Sequence, residues 1–215
     1  MAKIKQGILG GFSGKVANVV GTSWKGRAVM KSQPLSVANP RTEAQQEQRG
    51  KFSKIAELAS AVLTQFVQPV ENPISGDISG YNLFCKDNKG AFDASNKIVA
   101  ANLVCGGGKI ANATPSLGVF DSGEDTISMV WTNPADMSAL RLTDKAYGVF
   151  VSEDGSQVFV SDGNDLRSSE DITCERVKGS TTLANGQKYV MLLGFVSADG
   201  RDVSVKNYGV AVSLS

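Results

Sequence analysis

Histidine is absent from the 215-residue sequence, which removes the commonest general base and the commonest metal ligand of proteins. Cysteine is scarce, because Cys85, Cys105 and Cys174 are the only three, and no two of them have the C-x-x-C spacing of a zinc or redox site. A serine or cysteine nucleophile would depend on a lysine, a carboxylate or the terminal amine as its base, and the sequence marks no such pair. We therefore expect a protein that is not an enzyme and that uses no metal and no cofactor.

Long hydrophobic runs are also lacking. Apolar stretches such as 189–196 are much shorter than the ~20 residues that a membrane helix needs. Gly7, Gly10 and Gly11 interrupt the segment that follows the basic start, whereas an export signal requires an uninterrupted apolar segment. We therefore expect a protein made in the host cytoplasm without a signal peptide, whose cysteines are reduced thiols packed like small hydrophobic residues.

Acidic residues are missing from the first 42 positions, which contain seven basic residues. Up to Lys54 the sequence has ten basic and two acidic residues, a net charge of +8, and the remainder has a net charge of −7. The total of +1 therefore conceals two halves of opposite charge. Such an asymmetry indicates an interaction segment at the amino terminus.

Glycine is frequent in residues 1–38, and short β-capable pieces lie between the glycines. Val16, Val19, Val20 and Trp24 are too closely spaced and too β-branched for a helix, so we expect a small hairpin or meander. The GGFSGKV run at 10–16 lacks the serine or threonine that would end a phosphate-binding loop. Its glycines are therefore interpreted as parts of tight turns.

A long helix is predicted after Asn39-Pro40. Thr42 and Gln45 have the spacing of a capping box, and apolar residues then recur every three or four positions until Pro69, where we expect the helix to end. The first two turns are wholly polar and are expected to project into solvent or onto a partner. A second, shorter helix is predicted over 79–92.

From about Ile98 the apolar residues alternate with polar ones, as in half-buried antiparallel strands. Roughly seven such strands, separated by turns, fit an immunoglobulin-like or fibronectin-III-like β-sandwich with Trp131 as a candidate core residue. The predicted fold class is α+β, mainly β, with two domains at 1–97 and 98–215. We expect loss of Trp131 to unfold the sandwich and to leave the helices intact.

The acidic loop at 162–171 lacks the spacing of an EF-hand and is interpreted as a solvated loop. The basic segment has two interpretations. It could dock on the acidic sandwich of a neighbouring copy, which we favour, or it could bind nucleic acid through phosphate contacts and stacking. The candidate partner-binding residues are Lys3, Lys5, Phe12, Lys15, Trp24, Lys25, Arg27, Lys31 and Arg41.

Two stretches carry a family resemblance. The run GILGGFSGKVANVVGTSWKG at 7–26 is followed by NPRTEAQQEQRGKF at 39–52, and YNLFCKDNKGAF lies at 81–92. These motifs resemble the signature of an uncharacterised domain-of-unknown-function family of Bacteroidota and their phages, although Ala17 stands where many relatives have glycine. The resemblance covers the residues up to about 95 well and the strand-rich part only in general design. It implies a phage connection and transfers no catalytic residue.

Our leading hypothesis is therefore a bacteriophage virion structural protein, a multicopy capsid-decoration, neck or tail component that assembles through its basic amino-terminal segment. Its partners would be other copies of itself and other virion proteins, with no membrane partner. The alternative is a cytoplasmic binding module that uses the same segment on nucleic acid.

Overall fold

The computed structural model describes residues 3–4, 10–33, 36, 40–121, 123–135, 137–179, 183 and 186–214. Its contacts divide the chain into two compact units, Met1–Thr42 and Glu43–Ser215. The fold is α+β and mainly β, as predicted.

The first unit contains a four-stranded antiparallel sheet in the order β1-β2-β3-β4. Its strands are β1 (Lys3–Ile4), β2 (Phe12–Val16), β3 (Val19–Trp24) and β4 (Arg27–Ser32). The sequence predicts one small hairpin or meander in this segment. Lys25 and Gly26 connect β3 to β4 with φ angles of 47° and 77°. Two successive residues in this left-handed region form the type of turn that matches the twist of a two-stranded ribbon.

The second unit begins with helix α1 (Glu43–Ala61), directly after the predicted cap Thr42. The residues in its first two turns are exposed, as predicted, whereas Ile55, Leu58 and Ala59 are buried further along. Helical structure does not end at Pro69. A π-helical turn (Leu63–Val67) leads into α2 (Gln68–Glu71), so the chain accommodates the proline, which lacks a backbone N–H, without leaving the helical conformation.

Helix α3 (Gly80–Asp87) is shorter than the predicted 79–92. It begins where the Ser79 hydroxyl accepts a hydrogen bond from the Asn82 backbone N–H, at 3.3 Å. It ends before Asn88, whose buried side-chain amide donates to the carbonyls of Phe84 and Val104 and accepts from the Val104 N–H. The side chain of Asn88 thus joins the end of the helix to the strand that follows.

Seven strands form one antiparallel sheet, and two short strands pair separately. The separate pair consists of β5 (Val104–Cys105) and β12 (Asn207–Tyr208). The large sheet has the order β13-β11-β8-β9-β10-β7-β6, with these bounds: β6 (Pro115–Asp121), β7 (Thr126–Trp131), β8 (Lys145–Ser152), β9 (Val158–Ser161), β10 (Asp171–Lys178), β11 (Lys188–Val196) and β13 (Val210–Ser213).

The large sheet curves until its two end strands, β13 and β6, contact each other. It is therefore a nearly closed barrel, and it encloses a core that contains Trp131, Phe150, Phe159 and Phe195. The sandwich prediction requires two facing sheets, whereas hydrogen bonds between β9 and β10 make this sheet continuous.

Strands β8, β9 and β11 are buried on both faces. Every residue of β9 is buried, and so is every residue of β8 and β11 after the first. The outer face of these strands therefore carries a second core. Helical residues such as Ile55, Leu58 and Phe66 pack there with Val149 and Leu192. The helices and the sheet consequently belong to one compact unit. The contacts place the boundary at 42/43, whereas the sequence-based expectation places it at 97/98.

Candidate functional site

Strand register collects the basic residues of the amino-terminal sheet on one face. Lys15 and Lys31 both lie opposite Val20, and Trp24 lies opposite Arg27. Since successive side chains of a strand point to opposite faces, Lys15, Trp24, Arg27 and Lys31 share one face. We call these four residues the basic face.

All four residues of the basic face are exposed, and Trp24 retains 64% of its accessible surface. Lys25, in the adjoining turn, has its Nζ 5.0 Å from the centre of the Trp24 ring, which is within the range of a cation–π interaction. Among the described residues, none of the three basic side chains of this face takes part in an ion pair within 4.0 Å. The face therefore presents cations and an indole ring that are available to a partner.

The opposite face of this sheet is small and apolar. A Cβ atom built on Gly21 would lie 2.2 Å from the Phe12 carbonyl oxygen and 2.6 Å from the Phe12 ring, so glycine is required beneath that ring. Phe12, which the sequence analysis groups with the basic residues, lies on this opposite face with Gly14, Gly21 and Met30.

The other predicted basic residues lie partly outside the described structure. Lys3 lies in β1 opposite Ser13, but its side chain lies outside the described part of the structure, as does all of Lys5. Arg41 is exposed in the segment that precedes α1 and is not part of the sheet. Lys25 is in the turn next to Trp24, at the end of the face.

A cluster of acidic residues lies at one end of the barrel, and the sequence pattern does not reveal it. Loops 139–144, 162–170 and 197–202 meet there. The Arg167 N–H donates to the Asp144 carbonyl at 2.7 Å, and Arg141 Nη2 lies 3.9 Å from Asp202 Oδ2. We define the acidic end by six of the carboxylates in these loops and at the start of β10: Asp144, Asp162, Asp165, Asp171, Asp199 and Asp202.

A cleft of about 290 Å³ opens within the acidic end, and Asp144, Asp199 and Asp202 contribute to its lining. Arg141 Nη1 lies 3.6 Å from Asp144 Oδ1. Burial raises the pKa of Asp144, and the charges of Arg141 and Arg167 oppose that rise. Arg201 Nε also lies 3.9 Å from Asp199 Oδ2. The cleft is thus acidic and partly neutralised by arginines at long range.

In the neighbouring loop at 162–170, burial acts together with repulsion between carboxylates on the pKa of Asp165. Burial, followed by the charges of Asp162 and Asp171, raises the pKa of Asp165. A nearby cation would relieve this repulsion. The loop interpreted from the sequence as simply solvated is therefore part of a larger concentration of negative charge.

Arg167, in the loop that contacts Asp144, is completely buried. Its guanidinium lies 4.1 Å from the centre of the Phe195 ring, and its Nε donates to Asn133 Oδ1 at 2.9 Å. Among the described residues, Arg167 Nη2 and Asp144 Oδ2 are buried without hydrogen-bond partners. These two atoms are candidates for satisfaction by a bound group.

Glu71 is a second buried carboxyl group, distant in sequence from the acidic end. It is 3% exposed, and its Oε1 accepts a hydrogen bond from the Gly106 N–H at 3.0 Å. Burial raises the pKa of Glu71 to about 7. Burial also raises the pKa of the adjacent Cys105 thiol far above its ordinary value, so this thiol is a poor nucleophile.

Within the described ranges, no three cysteine, aspartate or glutamate side chains converge as metal ligands. None of the described helices combines the length and the apolar character needed to cross a bilayer.

Comparison with known proteins yields a family but no function. The model of a family of unknown function, DUF6266, matches residues 11–209. Neither a curated protein nor a solved structure matches the chain.

Proposed function

The chain belongs to this family of unknown function, and we propose that it is a structural protein that assembles by docking its basic face on an acidic surface of another copy. The observation that carries the proposal is the register of β2, β3 and β4, which places Lys15, Arg27 and Lys31 on one face with Trp24. A surface with one sign of charge steers a partner of the opposite sign and fixes its register.

Charge distribution supports a second copy as the partner. The described sheet of the first unit has no acidic residue, whereas residues 101–215 contain nine basic and fourteen acidic residues. Every copy therefore offers both a basic and an acidic surface. A protein that carries both halves of an interface can form multicopy assemblies from one kind of chain.

We further propose that the large sheet is a modified immunoglobulin-like sandwich. Strands β6, β7 and β10 would form one half, and β9, β8, β11 and β13 the other, with Trp131 and Phe195 between them at a ring distance of 5.5 Å. The strand order supports this proposal, because it is the order expected of an immunoglobulin-like domain whose halves are joined by pairing between β9 and β10.

The assembly that we propose is a bacteriophage virion, in which the protein would be a capsid-decoration, neck or tail component. The resemblance of residues 7–26 and 39–52 to a family of Bacteroidota and their phages favours a phage particle. Mass spectrometry of purified particles should detect the chain in many copies, and its absence from them would contradict this assignment.

A second function, binding to single-stranded nucleic acid, is favoured by the exposure of Trp24 beside Arg27. Aromatic residues flanked by cations are stacking sites for bases. A random-sequence oligonucleotide distinguishes the two proposals. Assembly predicts self-association without strong oligonucleotide binding, whereas the second function predicts binding that weakens steeply with salt and no self-association.

Deletion of residues 1–42 tests the leading proposal directly, because the rest of the chain forms its own compact unit. We expect the deletion variant to keep the circular dichroism spectrum of a folded domain and to remain monomeric in gel filtration at concentrations where the full chain associates. Association of the deletion variant equal to that of the full chain would refute the proposal.

A further inference from the structure

We propose that the acidic end is the docking site for the basic face of the next copy, and that its cleft receives the Arg27 guanidinium. This inference rests on the proposed function and deepens it by naming the surface that the basic face meets. Four observations on the described residues carry it.

The first observation is the state of Asp144. Its side chain is 2% exposed and lines the cleft, and its Oδ2 is buried with no hydrogen-bond partner among the described residues. Leaving a buried carboxylate oxygen without a partner is unfavourable. The guanidinium of Arg167 does not satisfy it: its Nε donates to Asn133, and its Nη2 makes no hydrogen bond among the described residues.

The second observation is that Arg141 makes only long ion pairs with the carboxylates of the cleft. Its two terminal nitrogens lie 3.6 Å from an oxygen of Asp144 and 3.9 Å from an oxygen of Asp202. Both distances exceed that of a hydrogen bond. Asp144 and Asp202 therefore retain capacity for a second guanidinium, whose planar donors match carboxylate geometry. The third carboxylate of the cleft, Asp199, already accepts from the Ser197 hydroxyl and the Arg201 N–H.

The third observation is that four acidic residues elsewhere in this unit have close basic partners. These pairs are Glu57 with Lys178 at 2.8 Å, Asp87 with Lys206 at 3.0 Å, Glu153 with Lys97 at 3.1 Å, and Asp125 with Arg176. Within the described part of the chain, Asp162, Asp165 and Asp171 have no basic partner within 4.0 Å. The acidic end thus holds the concentration of negative charge that an incoming basic face would neutralise.

The fourth observation is apolar complementarity. Leu140, which lines the cleft, is 75% exposed, and Leu142 and Leu166 are exposed nearby. On the basic face, the exposed Trp24 ring adjoins Arg27. Tryptophan and arginine are among the residue types most enriched at the centres of protein interfaces. Trp24 would cover Leu140 while Arg27 enters the cleft.

This arrangement joins two different surfaces, so the interface is heterologous. One copy would use its basic face and leave its acidic end open to the next copy. Heterologous contacts of this kind generate rings or open filaments rather than closed dimers. The inference therefore predicts association that continues beyond a dimer.

Mixing two full-length variants tests the inference. The basic-face variant carries Arg27→Glu and Lys31→Glu, and the acidic-end variant carries Asp202→Lys and Leu140→Ala. Glu175→Lys is the matched control, because Glu175 is exposed on β10 outside the acidic end and undergoes the same reversal of charge. Circular dichroism and thermal melting establish that each variant is folded, and sedimentation velocity at low salt gives the association state.

We expect each interface variant to self-associate at least about tenfold more weakly than the unmodified chain, and their mixture to form a 1:1 complex that does not grow further. The Glu175→Lys control should associate as the unmodified chain does. If the acidic-end variant associates normally while the basic-face variant does not, the inference is wrong and the proposed function stands. If the basic-face variant associates normally, the proposed function itself is wrong. A mixture that stays monomeric, or a control that fails to associate, would also overturn the inference.

Discussion

Trp24 and Arg27 lie directly opposite each other across β3 and β4, and Lys25 and Gly26 form the turn between them. This relationship places an indole ring and a guanidinium side by side at one end of the small sheet. The same register brings Lys31 onto that face opposite Val20. The candidate function follows from this register, because a shift by one residue would move every one of these side chains to the other face.

Replacement of Trp131 by alanine should lower the free energy of unfolding by about 3 to 5 kcal/mol, since the residue is buried in the barrel core and contacts Phe195 edge to face. The expectation from the sequence that the helices would survive this change assumes a separate helical domain. Because the helices pack on the outer face of the same strands, we expect instead that helix and sheet signals are lost in one transition. Urea unfolding followed by far-ultraviolet circular dichroism for the helices and by near-ultraviolet circular dichroism of the remaining aromatic residues for the barrel core measures this. Val119→Ala, at an exposed position on β6, is the control and should change stability by less than about 0.5 kcal/mol. Survival of the helical signal after the sheet unfolds would contradict the single unit.

Asn88→Ala should lower the free energy of unfolding by about 2 to 4 kcal/mol, because it leaves the buried N–H and carbonyl of Val104 without their partners. Asn82, which is exposed on α3, offers a matched Asn→Ala control with a smaller expected effect. Chemical denaturation of both variants makes the comparison. Equal effects for the two substitutions would show that the side chain of Asn88 does not stabilise the junction.

Glu71 should make stability depend on pH. Its pKa is raised from an ordinary value of 4.5 to about 7 by burial, against the opposing hydrogen bond from Gly106 and with smaller effects of Asp87 and Lys206. Below pH 4.5 both states hold the proton, and above it the unfolded chain ionises first. The native state therefore loses stability as the pH rises from 4.5 to about 7, by about 3 kcal/mol in total.

Glu71→Gln should remove this loss, because the amide oxygen can still accept from Gly106 and cannot ionise. We expect the variant to match the unmodified chain at acid pH and to exceed its stability above neutral pH. Asp77→Asn, at an exposed position, is the control and should leave the pH profile of the unmodified chain unchanged. Thermal melting across this pH range measures the difference. Parallel profiles for the Glu71→Gln variant and the unmodified chain would contradict a buried, protonated carboxyl group.

Local patterns predict local structure well in this chain. The cap at Thr42 and the spacing of Ile55 and Ala59 predict α1, and alternation predicts strands such as β7. The end of α3 escapes prediction because it depends on a hydrogen bond from Asn88 to Val104, sixteen positions away. Helix packing on the sheet and the pairing of β9 with β10 are likewise long-range events that periodicity does not encode.

The candidate site also has one part that the sequence predicts and another that depends on the fold. The basic character of the first 42 residues is visible in the sequence, whereas the face that each residue occupies depends on the turn at Lys25 and Gly26, so Phe12 is misplaced by sequence reasoning. Asp144 and Asp202 are far apart in the sequence, with strands β8 to β11 between them. They come together only in the folded unit, where Arg141 lies near both. The sequence marks the acidic loop at 162–171 but does not show that it lies beside the cleft.

The most direct test of the central claim is sedimentation velocity on the full chain at low and high sodium chloride, compared with the Arg27→Glu, Lys31→Glu double variant. Lys109→Glu, at an exposed position of the second unit, is the control for a basic-to-acidic reversal outside the basic face. We predict that the unmodified chain and the Lys109→Glu control associate at low salt and dissociate at high salt, because exposed charges are screened, and that the double variant stays monomeric throughout. Association of the double variant equal to that of the unmodified chain would contradict the claim that the basic face drives assembly.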